Sequence, residues 1–308
     1  MLVLCYHKVC NVSNDWNNIS IPIDSFYEQM KYIKNNFNVI ELDKIKDNID
    51  DENAICITFD DGYDDCYKNV LPIIDELNIP ITIFISTKCI DTLNEDWCNE
   101  ISYLILQGFN YPFSFVYQDN DYNITFKTKT IEQRKSFHKQ IEKIMMCCNQ
   151  QTRTKLLNKI RKWSECCHDN KRNNFHMLNK KQIQILSKNK LVTIGAHTVN
   201  HPLLGSLSVD EQKKEINGSL MTLKNIIKQN VNAFAYPFGG RESYSLETIK
   251  ILKKQGIDIA FTTTYKRKNK NFSLYEIPRV CINESNLNEF IEKINLYKNK
   301  KSYYYSKD

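Results

Sequence analysis

The segment Ala54-Ile55-Cys56-Ile57-Thr58-Phe59-Asp60-Asp61-Gly62 runs from an almost unbroken apolar stretch straight into two carboxylates and a glycine. A strand that is apolar on both faces belongs in a sheet covered on both sides, which is how parallel sheets are built. Gly62 supplies the backbone freedom for a sharp turn. Both acids therefore fall at the C-terminal end of a strand, where α/β proteins gather their reactive groups. Asp-Asp-Gly alone is also an ordinary turn, so the rest of the chain has to decide.

Similar runs recur on either side, at Leu2–Tyr6, Ile81–Ile85, Val192–Ala196, 233–236, 257–262 and 274–280. Between them, apolar residues recur at three- and four-residue spacing over 26–37, 67–77, 179–188, Val209–Ile227 and Leu246–Lys254, which predicts helices. Asp24 and Ser208 stand where N-caps belong, and Gly256 follows a last turn. Strand and helix alternating in this way predict an α/β fold with a parallel sheet, open or closed into a barrel. Residues 91–175 break the rhythm, with an aromatic-rich stretch over 103–126 and then helical patterns over 131–148 and 153–166. We read 1–308 as a single domain carrying a mainly helical insertion over 91–175, either a substrate-side wall or a structural flap.

A second motif follows the strand Val192–Ala196: Gly195-Ala196-His197-Thr198-Val199-Asn200-His201-Pro202. Histidines four apart share one face of a helical turn and can converge on one ion. In an extended strand they would lie about 13 Å apart, so the run has to turn after Ala196. Two imidazoles and one carboxylate leave open positions for water, the arrangement of a catalytic metal rather than a structural one. Asp64 and Asp65 read as a helix start, where acids complement the dipole.

Composition excludes several classes. The 308 residues are 42% hydrophobic and 25% charged, with a net charge of +6 spread among acids, too diffuse for a nucleic-acid footprint. Short basic runs at 266–270 and 298–301, the latter followed by Tyr303, Tyr304 and Tyr305, read as solvated surface. Peripheral contact with an anionic membrane or an acidic glycan is the alternative. No apolar run approaches the roughly 18 residues that span a bilayer. Met1 to His7 reads as a strand rather than a secretion signal, so a cytoplasmic location is expected. Eleven cysteines, an odd number, read as reduced small hydrophobes. Cys147-Cys148 and Cys166-Cys167, with His168 and His176, raise a structural zinc, but adjacent cysteines lack the spacing that wraps a tetrahedral ion. Nothing in the sequence sets an oligomeric state.

Taken together, Thr58–Gly62 as T-F-D-D-G, His197–His201 as H-[ST]-x-x-H, and Phe234-Ala-Tyr-Pro237-Phe238-Gly239-Gly240 resemble the three ordered motifs of the polysaccharide deacetylases of NodB homology, carbohydrate esterase family 4. The resemblance covers about 1–90 and 178–297 and leaves the insertion outside. It implies a distorted (β/α)7-type, NodB-like barrel. By motif position it implies Asp60 as general base and Asp61, His197 and His201 as ligands of one divalent metal, Zn2+ foremost with Ni2+ or Co2+ as alternatives. It further implies Thr198 as a buttress of the metal loop and the backbone N–H of Phe238 as oxyanion donor.

Two departures stand out. Where the better-known branch has an arginine in the third motif, this chain has Ala235, and Arg279 is our candidate to orient Asp60 in its place. No histidine follows His201, so His7, in a Tyr-His pair resembling that of biofilm-polysaccharide deacetylases, is the candidate general acid. The implied substrate is an N-acetylated saccharide: a GlcNAc-like residue in a polysaccharide, oligosaccharide or lipid-linked glycan. The alternatives are a related metal amidohydrolase acting on a non-sugar amide and a catalytically weak carbohydrate-binding homologue.

Overall fold

A computed structural model describes residues 1–107, 110–164, 172–264 and 273–299. Its main sheet holds the strands β1 (Leu2–Tyr6), β2 (Ala54–Phe59), β3 (Ile81–Ile85), β4 (Val192–Ala196), β5 (Ala233–Ala235), β6 (Ile259–Thr262), β7 (Ile277–Pro278) and β8 (Val280–Cys281). They lie in the order β7-β6-β5-β4-β3-β2-β1-β8, and every pairing is parallel. A further two-residue strand, Asn38–Val39, pairs with the start of β2.

The two edges of this sheet are consecutive in sequence. β7 pairs with β6 and β8 with β1, and only Arg279 separates them. One short run therefore closes the sheet into a distorted barrel of seven parallel strand positions. Backbone hydrogen bonds from Arg279 N to Thr262 O (3.0 Å) and from Ile282 N to Cys5 O (2.9 Å) bind the seam on its two sides. The predicted strand positions are recovered, with 257–262 and 274–280 shorter than their apolar patterns.

Alternation along each strand decides what faces inward. Leu4, Ile57, Ile194, Phe234, Ala260 and Val280 join the cluster between sheet and helices, while Val3, Cys56, Phe84, Ala235, Phe261 and Ile277 fill the barrel interior. Burying a large apolar side chain stabilises by roughly 1.5–3 kcal/mol, so the two clusters fix this parity firmly. The same parity carries Cys5, Asp60, His197, Arg279 and Cys281 to the inside. Gly195 is required here, because a Cβ on it would lie 2.3 Å from Phe84 Cδ1.

Helices wrap the outside. Val209–Ile227 and Leu246–Lys254 have the predicted bounds, and Ser208 caps the first in a capping box with Glu211. Asp24 lies inside the first turn of Ile23–Asn36, whose N-cap is Pro22, so its expected capping role is not found. Gly256 follows its helix with φ +76°.

Segment 91–175 contains the helices Trp97–Leu106, Ile131–Cys147 and Gln150–Trp163 and an antiparallel hairpin, Ser114–Gln118 with Asn123–Lys127. They enclose their own apolar cluster, in which Phe137 stacks on Phe115 at 4.7 Å and meets Trp163 edge-on. Cys166, Cys167, His168 and the basic run 266–270 lie outside the described residues, as does all of the basic tail beyond residue 299. Among the described residues no helix is long and apolar enough to cross a membrane.

Candidate active site

The C-terminal ends of β1, β2, β4 and β5, with the β7–β8 seam, converge on one mouth of the barrel. Asp60 is 3% exposed, and its backbone N–H is fixed by Tyr6 O at 2.9 Å. Arg279, 1% exposed, reaches it across the seam and donates to both carboxylate oxygens, Nη1 to Oδ1 and Nη2 to Oδ2, each at 2.6 Å. The guanidinium also donates to Thr58 Oγ1 and Thr262 O, and lies beside the contacting rings of Phe84 and Phe261. Burial pushes the Asp60 carboxyl up, but the charge of Arg279, then that of His197, more than reverses this and leaves it below its ordinary value.

Asp61, past the strand end and in left-handed backbone (φ 71°), points elsewhere. Its Oδ1 lies 3.4 Å from His197 Nε2 and 3.3 Å from His201 Nε2. Burial raises its carboxyl, and the two imidazoles overturn this and hold it well below the carboxylate range. The structure therefore brings Asp61, His197 and His201 together, their donor atoms within 4.8 Å of one another. Asp61 Oδ1 and His197 Nε2, which face each other, are buried and find no hydrogen-bond partner among the described residues, and neither does Nδ1 of His201, the ring nitrogen other than the one facing Asp61. Orphaned polar atoms are costly and rare, and three such residues facing one another fit a divalent cation by both position and donor type.

The loop that aims the histidines is strained and braced. Asp61 (φ 71°), Thr198 (68°), His201 (51°) and Phe238 (63°) are four of the eight left-handed non-glycine residues among the described residues. Each costs on the order of 1–3 kcal/mol, so surrounding contacts must hold it. Thr198 Oγ1 donates to His197 O and accepts from His201 N (3.1 Å). Glu215, buried on the helix Val209–Ile227, accepts from Val199 N, Asn200 N and Asn200 Nδ2 at 2.7–3.0 Å. His197 Nδ1 lies 2.7 Å from Ala235 O, and donating there leaves Nε2 free to face Asp61.

The insertion reaches the site through Trp97, whose indole donates to His201 O at 3.3 Å. Arg153 lies over Trp97 and donates to Met145 O and Cys148 O, and weakly (3.5 Å) to Asn200 O. Phe238 puts its ring 4.7 Å from that of His201, and its turn depends on Gly239, where a Cβ would lie 2.5 Å from Thr263 N.

His7 is half-buried and falls beside Asp60 and Cys5 rather than beside Asp61. Cys5 donates to Asp60 Oδ2 at 3.5 Å. Neighbouring Cys5, then His7 and Arg279, draw the Cys281 thiol down to about 6 against burial.

Sequence reasoning missed Glu215, Trp97, Arg153 and the partner of Asp65. Asp65 lies at a helix start, yet it is buried and paired with Lys8 Nζ at 3.0 Å. Glu215 left one signal, an acid on the buried face of an amphipathic helix beside Ile216.

The family profile described as Polysaccharide deacetylase matches residues 47–260. The chain is 20% identical over 286 residues to YxkH of Bacillus subtilis (strain 168), named a "putative polysaccharide deacetylase", covering 91% of this chain and 70% of that protein. Among solved structures, IcaB from Ammonifex degensii superposes with a TM-score of 0.60 at 16% identity, over 96% of each chain. The Streptococcus pyogenes deacetylase PplD, solved in complex with acetate, gives 0.55 at 18% identity, over 96% of this chain and 97% of its own. At such identities the structural likeness speaks for the fold.

Proposed function

The chain belongs to the polysaccharide deacetylase family, and from that premise we propose that it hydrolyses the N-acetyl group of an amino sugar in a metal-dependent reaction. A GlcNAc-like residue carried on a polysaccharide, an oligosaccharide or a lipid-linked glycan is the substrate class. The observation that carries the reading is the pairing of two groups at one mouth. One is the three-residue set Asp61, His197 and His201, with Asp61 Oδ1 and His197 Nε2 unpartnered within it; the other is Asp60, clamped beside it by Arg279. The acetate bound to PplD is the acid that this reaction releases.

A divalent ion on Asp61, His197 and His201, zinc foremost with nickel and cobalt as alternatives, would polarise the acetyl carbonyl and acidify a water. The remaining chemistry falls to the chain's own side chains. Asp60 takes the proton of the water whose oxygen bonds to the carbonyl carbon. Arg279 keeps that carboxylate ionised and fixes its plane. The backbone N–H of Phe238 donates to the oxygen that becomes negative, a contribution worth roughly 10²–10³ in rate. His7 gives a proton to the amine nitrogen as the C–N bond breaks, and acetate and the free amino sugar leave. Trp97 and the Phe238 ring cover the His201 side of the site. In this reading the chain is one domain, and segment 91–175 is an insertion that walls the substrate side.

The test is acetate release from a panel of N-acetylated chitooligosaccharides and polymeric glucosamine by metal-loaded protein, beside Asp60→Asn and His201→Ala. Asp60→Asn should keep its metal and lose about 10²- to 10⁴-fold in turnover, whereas His201→Ala should lose both. Full activity in Asp60→Asn, or a metal-loaded wild type inert on the whole panel, would sink the reading.

A further inference from the structure

We propose that Cys5, His7 and Cys281 form a second, thiophilic metal site on the barrel seam, and that filling it shuts the reaction down by engaging His7 and crowding Asp60. Cys5 and Cys281 are direct partners across the parallel strands β1 and β8, and both face inward. His7 lies two residues beyond Cys5, so it returns to the same face. Its ring nitrogen, Cys5 Sγ and an Asp60 oxygen all lie within 4.8 Å of one another.

Sulfurs about 2.3 Å from a tetrahedral ion stand about 3.8 Å apart. That span is within reach of register partners on strands about 4.8 Å apart once Cys281, which lies outside that group of three, turns its thiol towards Cys5 and His7. A disulfide is a poorer fit, since it wants Cβ atoms about 3.8 Å apart, whereas parallel strands run about 4.8 Å apart. Chelation closes the gap without drawing the strands together. The fourth side faces Asp60 Oδ2, 3.5 Å from Cys5 Sγ and already held by Arg279. Cys5 is buried, while Cys281 is only partly so, like His7, which leaves an approach from the mouth. Two thiolates and an imidazole select zinc or cadmium over magnesium or calcium. The binding step is an exchange: the divalent ion enters and the two thiol protons leave to solvent, with no change of oxidation state.

The inhibitory half rests on the roles proposed above for Asp60 and His7, and the binding half does not. The experiment is a cadmium titration of the metal-loaded full chain, read by thiolate-to-cadmium ultraviolet absorption and by acetate release. It is run in a background where Cys147, Cys148, Cys166 and Cys167 are serine. One further equivalent should bring in the absorption band and lower acetate release by about 10²-fold or more, the loss expected when acid and base are withdrawn. Cys281→Ser should lose the band and keep releasing acetate in excess cadmium. A band that survives in Cys281→Ser, or none in the parent, overturns the site. A band without loss of turnover overturns the inhibition. A protein that gains the band but never releases acetate leaves the metal site standing and removes the proposed activity instead.

Discussion

Arg279→Met removes the charge that faces Asp60 while keeping much of the side chain's length. Both partners are buried, at 1% and 3% exposure, and are joined by two 2.6 Å hydrogen bonds. Removing one member of such a pair leaves a charge without a counter-ion in a dry site and costs about 3–5 kcal/mol. For 308 residues, an unfolding entropy of about 2.1 cal/mol/K per residue sums to about 0.65 kcal/mol/K. The melting temperature should then fall by about 5–8 °C. With burial no longer opposed by Arg279, the Asp60 carboxyl should also rise from its depressed position, and turnover should fall with it. Scanning calorimetry on Arg279→Met, Asp60→Asn and the double variant closes a thermodynamic cycle. Each single change strands one charge and the double strands none, so the double should melt above Arg279→Met, with a coupling of a few kcal/mol. Arg279→Lys should recover little, because an ammonium cannot span both Asp60 oxygens and Thr58 at once. A double variant whose loss equals the sum of the two singles would refute the reasoning.

Burial holds the His138 imidazole, 2.8 Å from Ser102 Oγ, down to about 4 against an unfolded value of 6.5. The unfolded chain therefore binds the extra proton first, and stability falls as pH drops from about 6.5 towards about 4. The loss is at most about 3 kcal/mol, and less for a ring that is partly exposed; urea unfolding of His138→Gln should be flatter across this window, and an unchanged slope would remove the residue from the account. His7→Ala should lower kcat by about 10²- to 10⁴-fold with KM little changed, and steady-state kinetics equal to wild type would strike it from the mechanism. Gly195→Ala should cost about 1–3 kcal/mol, since its Cβ would meet Phe84 and force that ring to move. Because Phe84 lies against the Arg279 guanidinium, activity should fall as well; a variant as stable and active as wild type would show that the interior has slack there.

The parts of the fold legible in the sequence are those written locally. Val209–Ile227 and Leu246–Lys254 carry amphipathic spacing together with capping residues, so pattern and punctuation agree. The hairpin in the insertion was legible but unread. Phe115 and Tyr117 alternate with exposed residues, and Asp119 turns the chain by accepting from Asp121 N and Tyr122 N. The strand over 274–280 was legible, but its division into a seam that pairs both sheet edges was not. Two strands of two residues have no period, and pairing Cys5 with Cys281 depends on a register between segments some 276 positions apart.

Ala235 and Arg279 show why a site can be legible as chemistry while its supports are not. Both face the barrel interior, one small and one long. The guanidinium that reaches Asp60 comes from the seam, and β5 contributes only a backbone carbonyl, Ala235 O, to His197. A carboxylate to be held ionised in a dry interior needs a cation within reach, and physics does not specify which strand supplies it. The motif residues are recognisable because their order and types are fixed by what they must touch. Arg279 could be nominated from the end of the 274–280 strand pattern, but its reach to Asp60, like that of Glu215 to the histidine loop, is fixed only by where a side chain ends. That is a property of barrel closure and helix docking, and a linear pattern does not carry it.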